Sequence, residues 1–167
     1  MNIILEGVDA SGKSTLANEL AKRTGLRLVQ SEGPEKYFGE ISDRVARWND
    51  DNTPAIYDRH PIISHPIYST ISRTMTSEVN PELKEKFWSR PHLMVYCRPT
   101  RSGMVAHNFK LGEDLDHVQR VADNYARLVN LYDDWGLNNA HLIYNCGVNY
   151  EHTLSMITTL YMRFRNV

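Results

Sequence analysis

The chain has 167 residues, 41% hydrophobic and 23% charged, which suits one domain spanning residues 1–167 with a core that needs no disulfide or structural metal. A net charge of −1 gives no basic excess for gripping nucleic acid, and no apolar run approaches the length of a membrane span, so neither is an expected partner. The two cysteines, Cys97 and Cys146, follow apolar runs without metal or pairing spacing, and the chain enters its first strand directly; free thiols and a cytoplasmic setting are the expectation.

The predicted elements begin with Ile3-Ile4-Leu5, a buried strand. It runs into Gly7-Val8-Asp9-Ala10-Ser11-Gly12-Lys13-Ser14, which fits the pattern Gly-x4-Gly-Lys-Ser/Thr at every fixed position, and residues 15–23 read as the helix behind it. Such a loop bends so that successive N–H groups point at phosphate oxygens, and the helix adds its positive end. The expected triphosphate site is therefore Asp9, Ala10, Ser11, Gly12, Lys13, Ser14 and Thr15. Lys13 reaches the β- and γ-phosphates, the Ser14 hydroxyl ligates Mg²⁺, and Thr15 supports the first helical turn. ATP is the expected nucleotide, with Mg²⁺.

A second strand over residues 26–30 ends in the turn Ser31-Glu32-Gly33-Pro34. Residues 37–48 read as a helix with apolar positions at helical spacing. On it Arg44 and Arg47 share a face and offer phosphate-binding charge. Tyr37 or Phe38, with Trp48 as a further option, offers an aromatic surface for a base. A third strand, 55–57, ends at Asp58-Arg59-His60. A carboxylate at that place suits Mg²⁺, and a guanidinium beside it grips phosphate through paired N–H bonds.

A helix is expected from residue 61 to 75 with a kink at Pro66, then a short helix over 83–88 and a fourth strand over 93–97. Arg98, Arg101 and Lys110 fall in a polar segment, 98–115, that reads as a lid whose cations act on a transferring phosphoryl group and exclude water. One long helix over 116–135, a fifth strand over 141–144 and a closing helix over 150–164 complete the pattern. His60 and His65, five apart around Pro61, do not match a zinc pair. Strands separated by helices imply a three-layer α/β fold of the P-loop NTPase type, a five-stranded parallel sheet with helices on both faces. Ligands then sit outside the carboxyl ends of the strands.

The stretch Leu5 to Thr15 resembles the signature of thymidylate kinases, including the acidic residue at the third position of the loop, Asp9. Asp58-Arg59-His60 resembles that family's Asp-Arg-Tyr motif with His in place of Tyr, and Ser64 and Tyr68 match the Ser and aromatic positions that follow. With the turn at 31–34 and the compact second helix, the chain resembles the short, phage-encoded branch of deoxynucleoside monophosphate kinases. The resemblance implies transfer of the ATP γ-phosphate to a deoxynucleoside monophosphate, dTMP foremost. It implies that Asp9 holds the acceptor sugar or its phosphate-binding arginine, that Arg59 holds the acceptor phosphate, and that Arg98 or Arg101 acts on the transferring group. Cys146 and Val148 would flank the adenine. Nucleotides are the implied partners, homodimers are common in the family, and the host cytoplasm is the setting if the chain is phage-encoded.

Three departures stand out. Position 10 is Ala, where some family members carry an arginine. The family's Arg-Glu-Pro-Gly segment lacks its arginine here, and the region that supplies thymine-reading residues is shorter. A deoxynucleoside kinase is the nearest alternative; it needs a carboxylate to take a 5′-hydroxyl proton, for which Glu32 is the candidate. A P-loop switch or motor is a third class, but the chain has no Asn-Lys-x-Asp motif and no Gly two residues after Asp58.

Overall fold

The structure, a computed structural model, describes residues 1–72, 76–100, 115–148 and 150–165. Strands β1 (Asn2–Glu6), β2 (Arg27–Gln30), β3 (Ala55–Asp58), β4 (His92–Arg98) and β5 (Leu142–Asn145) form a parallel sheet in the order β2-β3-β1-β4-β5. Around it lie α1 (Lys13–Thr24), α2 (Glu40–Asp50), α3 (Pro61–Ser69), α4 (Pro81–Trp88), α5 (Leu115–Asp123), α6 (Tyr125–Asn139) and α7 (Tyr150–Arg165).

Successive strand residues point to opposite faces, so the unbroken apolar run of the central strand serves two cores. Ile3 and Leu5 pack with Leu16 and Leu20 of α1 and with Leu154 and Ile157 of α7. Ile4 faces the other way, into Ile41 and Val45 of α2 and Ile62 and Ile63 of α3. A third cluster joins Val8 and Tyr96 to Leu128 and Tyr132 of α6. This is the expected three-layer arrangement. The chain leaves β1 for β2 and β3 on one side and returns with β4 and β5 on the other, so the loops after β1 and β4 diverge at a switch point that opens a ligand crevice.

Several boundaries differ from the periodicity. The expected helix over 116–135 is two helices, α5 and α6, broken at Asn124 (φ −110°, ψ 13°), whose side chain donates to Arg120 O and competes with the helical ladder. The expected helix over 61–75 ends at Ser69, where the Ser69 and Thr70 hydroxyls donate to the carbonyls of Pro66 and Ile67. Helix α2 starts at Glu40, behind Gly39 in the left-handed region (φ 97°), so Tyr37 and Phe38 lie on the loop before it. Helix α4 starts two residues earlier than its apolar pattern, capped by Asn80, which accepts from Glu82 N at 2.8 Å. Among the described residues, no helix is long and apolar enough to cross a membrane.

Candidate active site

The loop between β1 and α1 is shaped by contacts that only glycine permits. A Cβ on Gly7 (φ 148°) would lie 2.2 Å from Cys97 O, and one on Gly12 (φ 77°) 2.8 Å from the Cys146 sulfur. Ala10 also takes a left-handed conformation, φ 59°, which costs a non-glycine residue about 1–3 kcal/mol and recurs at binding loops. Helix α1 opens with no side-chain cap and no acidic residue in its first turn, leaving its N-terminal amides to an anion. Lys13 is buried and donates to Val8 O at 2.7 Å and Ser11 Oγ at 3.1 Å. Burial, followed by the nearby Arg59 charge, pushes its ammonium down to about 8.

Strand β3 ends beside this loop and delivers two side chains to it. The Asp58 carboxylate accepts from Ser14 Oγ at 2.7 Å. A hydroxyl and a carboxylate in contact at the start of α1 are an oxygen donor set that suits Mg²⁺. Next along the chain, Arg59 adopts φ 68°, strained for its type, while its N–H still bonds Leu5 O at 2.9 Å. That turn aims the guanidinium back across the loop. Its Nε donates to Gly7 O (3.1 Å), and its Nη2 contacts Asp9 Oδ1 (2.9 Å) and donates to the Tyr68 hydroxyl (2.9 Å). Tyr68 in turn donates to Asp9 Oδ2 at 2.7 Å. Burial alone would raise the Asp9 carboxyl, but the Arg59 and Lys13 charges with the Tyr68 bond hold it well below the usual range. Arg59 stays cationic, its own pKa raised despite burial by Asp9.

Two adjoining cavities open beyond Arg59. The smaller, about 80 Å³, is bordered by Arg59, Ser64, Tyr68, Trp48, Arg44 and Glu32. The larger, about 490 Å³, is bordered by Tyr37, Phe38, Tyr68, His117 and Arg120 among others, and Pro34, His65, Tyr68 and His117 border both. Of the expected residues, Tyr37 and Phe38 border the larger cavity, Ser64 the smaller, and Tyr68 both.

Arg44 does not present a free phosphate grip. It is 2% exposed, and its guanidinium bonds Glu40 (2.7 Å), Gly33 O (2.6 Å) and Pro34 O (3.0 Å). Its charge is spent on holding the turn at 33–34 against α2, so it shapes the cavity wall. Arg98 shares a face of β4 with Tyr96, and both reach Asp133 of α6 at 2.7 Å. The structure therefore turns it toward α6 instead of over the loop. Arg101, Lys110 and nearly all of the expected lid lie outside the described residues. Cys146 and Val148 follow β5; the Cys146 sulfur lies against Gly12 of the loop, and Val148 is exposed.

Some participants were not expected. Glu6, fully buried at the end of β1, accepts from His60 N at 2.6 Å and Tyr132 Oη at 3.1 Å. Burial pushes its carboxyl up to about 7, against the lowering effect of its partners. A carboxylate inside a buried strand is a signal the pattern already contained. Tyr125 of α6 donates to Asp9 O at 2.8 Å and steadies the loop from above.

Known structures share this architecture. The YorR protein of Bacillus subtilis, solved in complex with phosphorylated GDP, is 18% identical with a TM-score of 0.71, covering 100% of this chain and 99% of that one. Deoxyadenosine kinase from M. mycoides with bound dATP is 14% identical (TM-score 0.63), covering 100% of both chains. Thymidylate kinase from Candida albicans is 15% identical (TM-score 0.59), covering 98% of this chain and 92% of that one. The chain has the three-layer fold of P-loop kinases. No protein-family model matches it, and no curated protein sequence matches it.

Proposed function

We propose that this chain transfers the γ-phosphate of ATP to a deoxynucleoside monophosphate, with dTMP the first acceptor to test and other deoxynucleoside monophosphates in scope. The observation that carries this reading is the position of Arg59. One guanidinium touches the donor loop at Gly7 O and Asp9 and also Tyr68 on the acceptor cavity, so it sits where two phosphate-bearing ligands would meet.

An acceptor phosphate is already anionic, so the reaction needs no strong base, only alignment and neutralisation of charge. The amides of residues 9–15 and Lys13 hold the donor's phosphates. Arg59, kept cationic and anchored by Asp9 and Tyr68, grips the acceptor phosphate. Tyr37 and Phe38 border the base. Ser14 and Asp58 would hold Mg²⁺, which when bound supplies positive charge to the triphosphate oxygens.

The deoxynucleoside kinase reading retains one supporting observation: Glu32 borders the smaller cavity. Both of its carboxylate oxygens are engaged by Arg47 Nη2 at 3.1 Å, which ties the group to α2 and away from an acceptor hydroxyl. An ATP-consumption screen over dTMP, dCMP, dGMP, dAMP and UMP, with Mg²⁺ and with thymidine as control, tests the proposal. Monophosphate-dependent turnover is expected. Turnover on thymidine but on no monophosphate would transfer the assignment to the nucleoside kinase, and none on either would overturn both.

A further inference from the structure

His65 lies on α3, borders both cavities, and did not enter the reading above except as a failed metal ligand. Its Nε2 is 2.7 Å from Ser77 O. A carbonyl oxygen only accepts, so Nε2 carries the proton, and in the neutral ring Nδ1 is left as a lone-pair acceptor. Ser77 is itself fixed: it is buried, and its N–H (3.0 Å) and hydroxyl both donate to Glu35. The ring orientation is thus set from behind by two further residues, as a recognition group requires. Nδ1 has no hydrogen-bond partner among the described residues and, unlike His92 Nδ1, is not sealed from solvent.

We propose that His65 is a specificity-determining residue whose Nδ1 accepts a hydrogen bond from a ring N–H or amino N–H of the acceptor nucleotide's base. Its neighbours on the cavity wall, Tyr37 and Phe38, are aromatic, whereas Nδ1 of His65 is a single hydrogen-bond acceptor. Each natural base carries a donor (an imino N–H in thymine and guanine, an amino group in cytosine and adenine), but at different places on its edge. The residue therefore selects the base whose donor meets it. The inference rests on the monophosphate kinase reading and adds how the acceptor is chosen.

Two substitutions separate recognition from a merely structural tie to Ser77. His65→Asn keeps an acceptor near the δ position and gives up the Ser77 contact. His65→Gln keeps an N–H near the ε position for Ser77 and gives up the δ acceptor. With the wild type's preferred monophosphate, His65→Gln is expected to lose about five- to tenfold in kcat/KM, the value of one neutral hydrogen bond, with the KM for ATP unchanged. His65→Asn, which keeps the acceptor but not the Ser77 tether, is expected to lose clearly less than His65→Gln. A third arm needs no variant: the same monophosphate with its base donor removed, by N-methyl at an imino nitrogen or N,N-dimethyl at an amino group, should be used at least about fivefold less well by the wild type. The reverse order of the two variants, equal effects or no effect in both, or equal use of the methylated acceptor would each overturn the assignment. Absence of any monophosphate-dependent turnover in the wild type would instead remove the kinase reading itself, and this inference with it.

Discussion

Replacing Tyr68 by Phe removes one oxygen from between two charges and leaves the ring in place. That oxygen donates to Asp9 at 2.7 Å and accepts from Arg59 at 2.9 Å. A hydrogen bond to a charged partner contributes about 1.5–3 kcal/mol. Because the Asp9–Arg59 ion pair at 2.9 Å survives, the two losses do not simply add, and a net cost of about 2 kcal/mol is expected. For a domain of this size that lowers Tm by about 4–8 °C. Arg59 also loses its tether on the acceptor side, so the acceptor KM should rise about tenfold while the KM for ATP stays within about twofold. Asp9 adds a pH signature. Its folded pKa lies below the unfolded value of about 3.9, so its stabilisation is present above that pH and fades as the pH falls. Tyr68→Phe removes one of the bonds that depress it, so acid unfolding should begin at a higher pH. Thermal unfolding between about pH 3 and pH 7, paired with steady-state kinetics, measures all three. A variant that melts with the wild type and keeps its acceptor KM would show that the hydroxyl links nothing.

Lys13→Ala should cost at least about a hundredfold in kcat, by removing charge aimed at the transferring group, yet melt no lower than wild type, because the buried ammonium is held at a cost; a lower Tm would mean that its bonds to Val8 O and Ser11 Oγ matter more. Asp58→Asn should raise the Mg²⁺ concentration for half-maximal rate several-fold; an unchanged Mg²⁺ titration would remove the Ser14–Asp58 pair from that role. Glu6 has a folded pKa raised to about 7, so it favours folding when protonated and loses that advantage as the pH climbs from about 4.5 through 7, about 3 kcal/mol in all. Glu6→Gln mimics the protonated form, so wild-type stability relative to the variant should decline across that window; parallel curves would contradict the assignment.

The fold was readable because two local signals agree. The Gly-Lys-Ser loop sits between a buried strand and a helix, and the later strands recur as short apolar runs, so the parallel sheet follows from pattern alone. Asp58 and Arg59 were readable from their place at a strand end. For Arg44, the spacing with Arg47 describes a helix face but not which face is buried; only the packed turn at 33–34 shows where its donors go. The break at Asn124 escaped because apolar spacing continues through it while the side chain competes for a backbone carbonyl. Glu6 stood out as a carboxylate in a buried strand, but its partner at His60, 54 residues away, and that of His65 at Ser77, 12 residues away, are encoded by no local pattern.

The shared anchoring of Asp9, Arg59 and Tyr68 also bears on how such a protein can change. Truncating either charged member strands the other, half-buried, at a cost approaching 3–5 kcal/mol, a sizeable part of a domain's whole margin. Drift at these three positions is therefore effectively concerted, and one-at-a-time substitution meets a barrier. The rim at Tyr37, Phe38 and His65 carries no such debt. On the proposed function, new acceptor preferences are accessible to directed evolution there, while the Asp9–Arg59–Tyr68 centre stays locked.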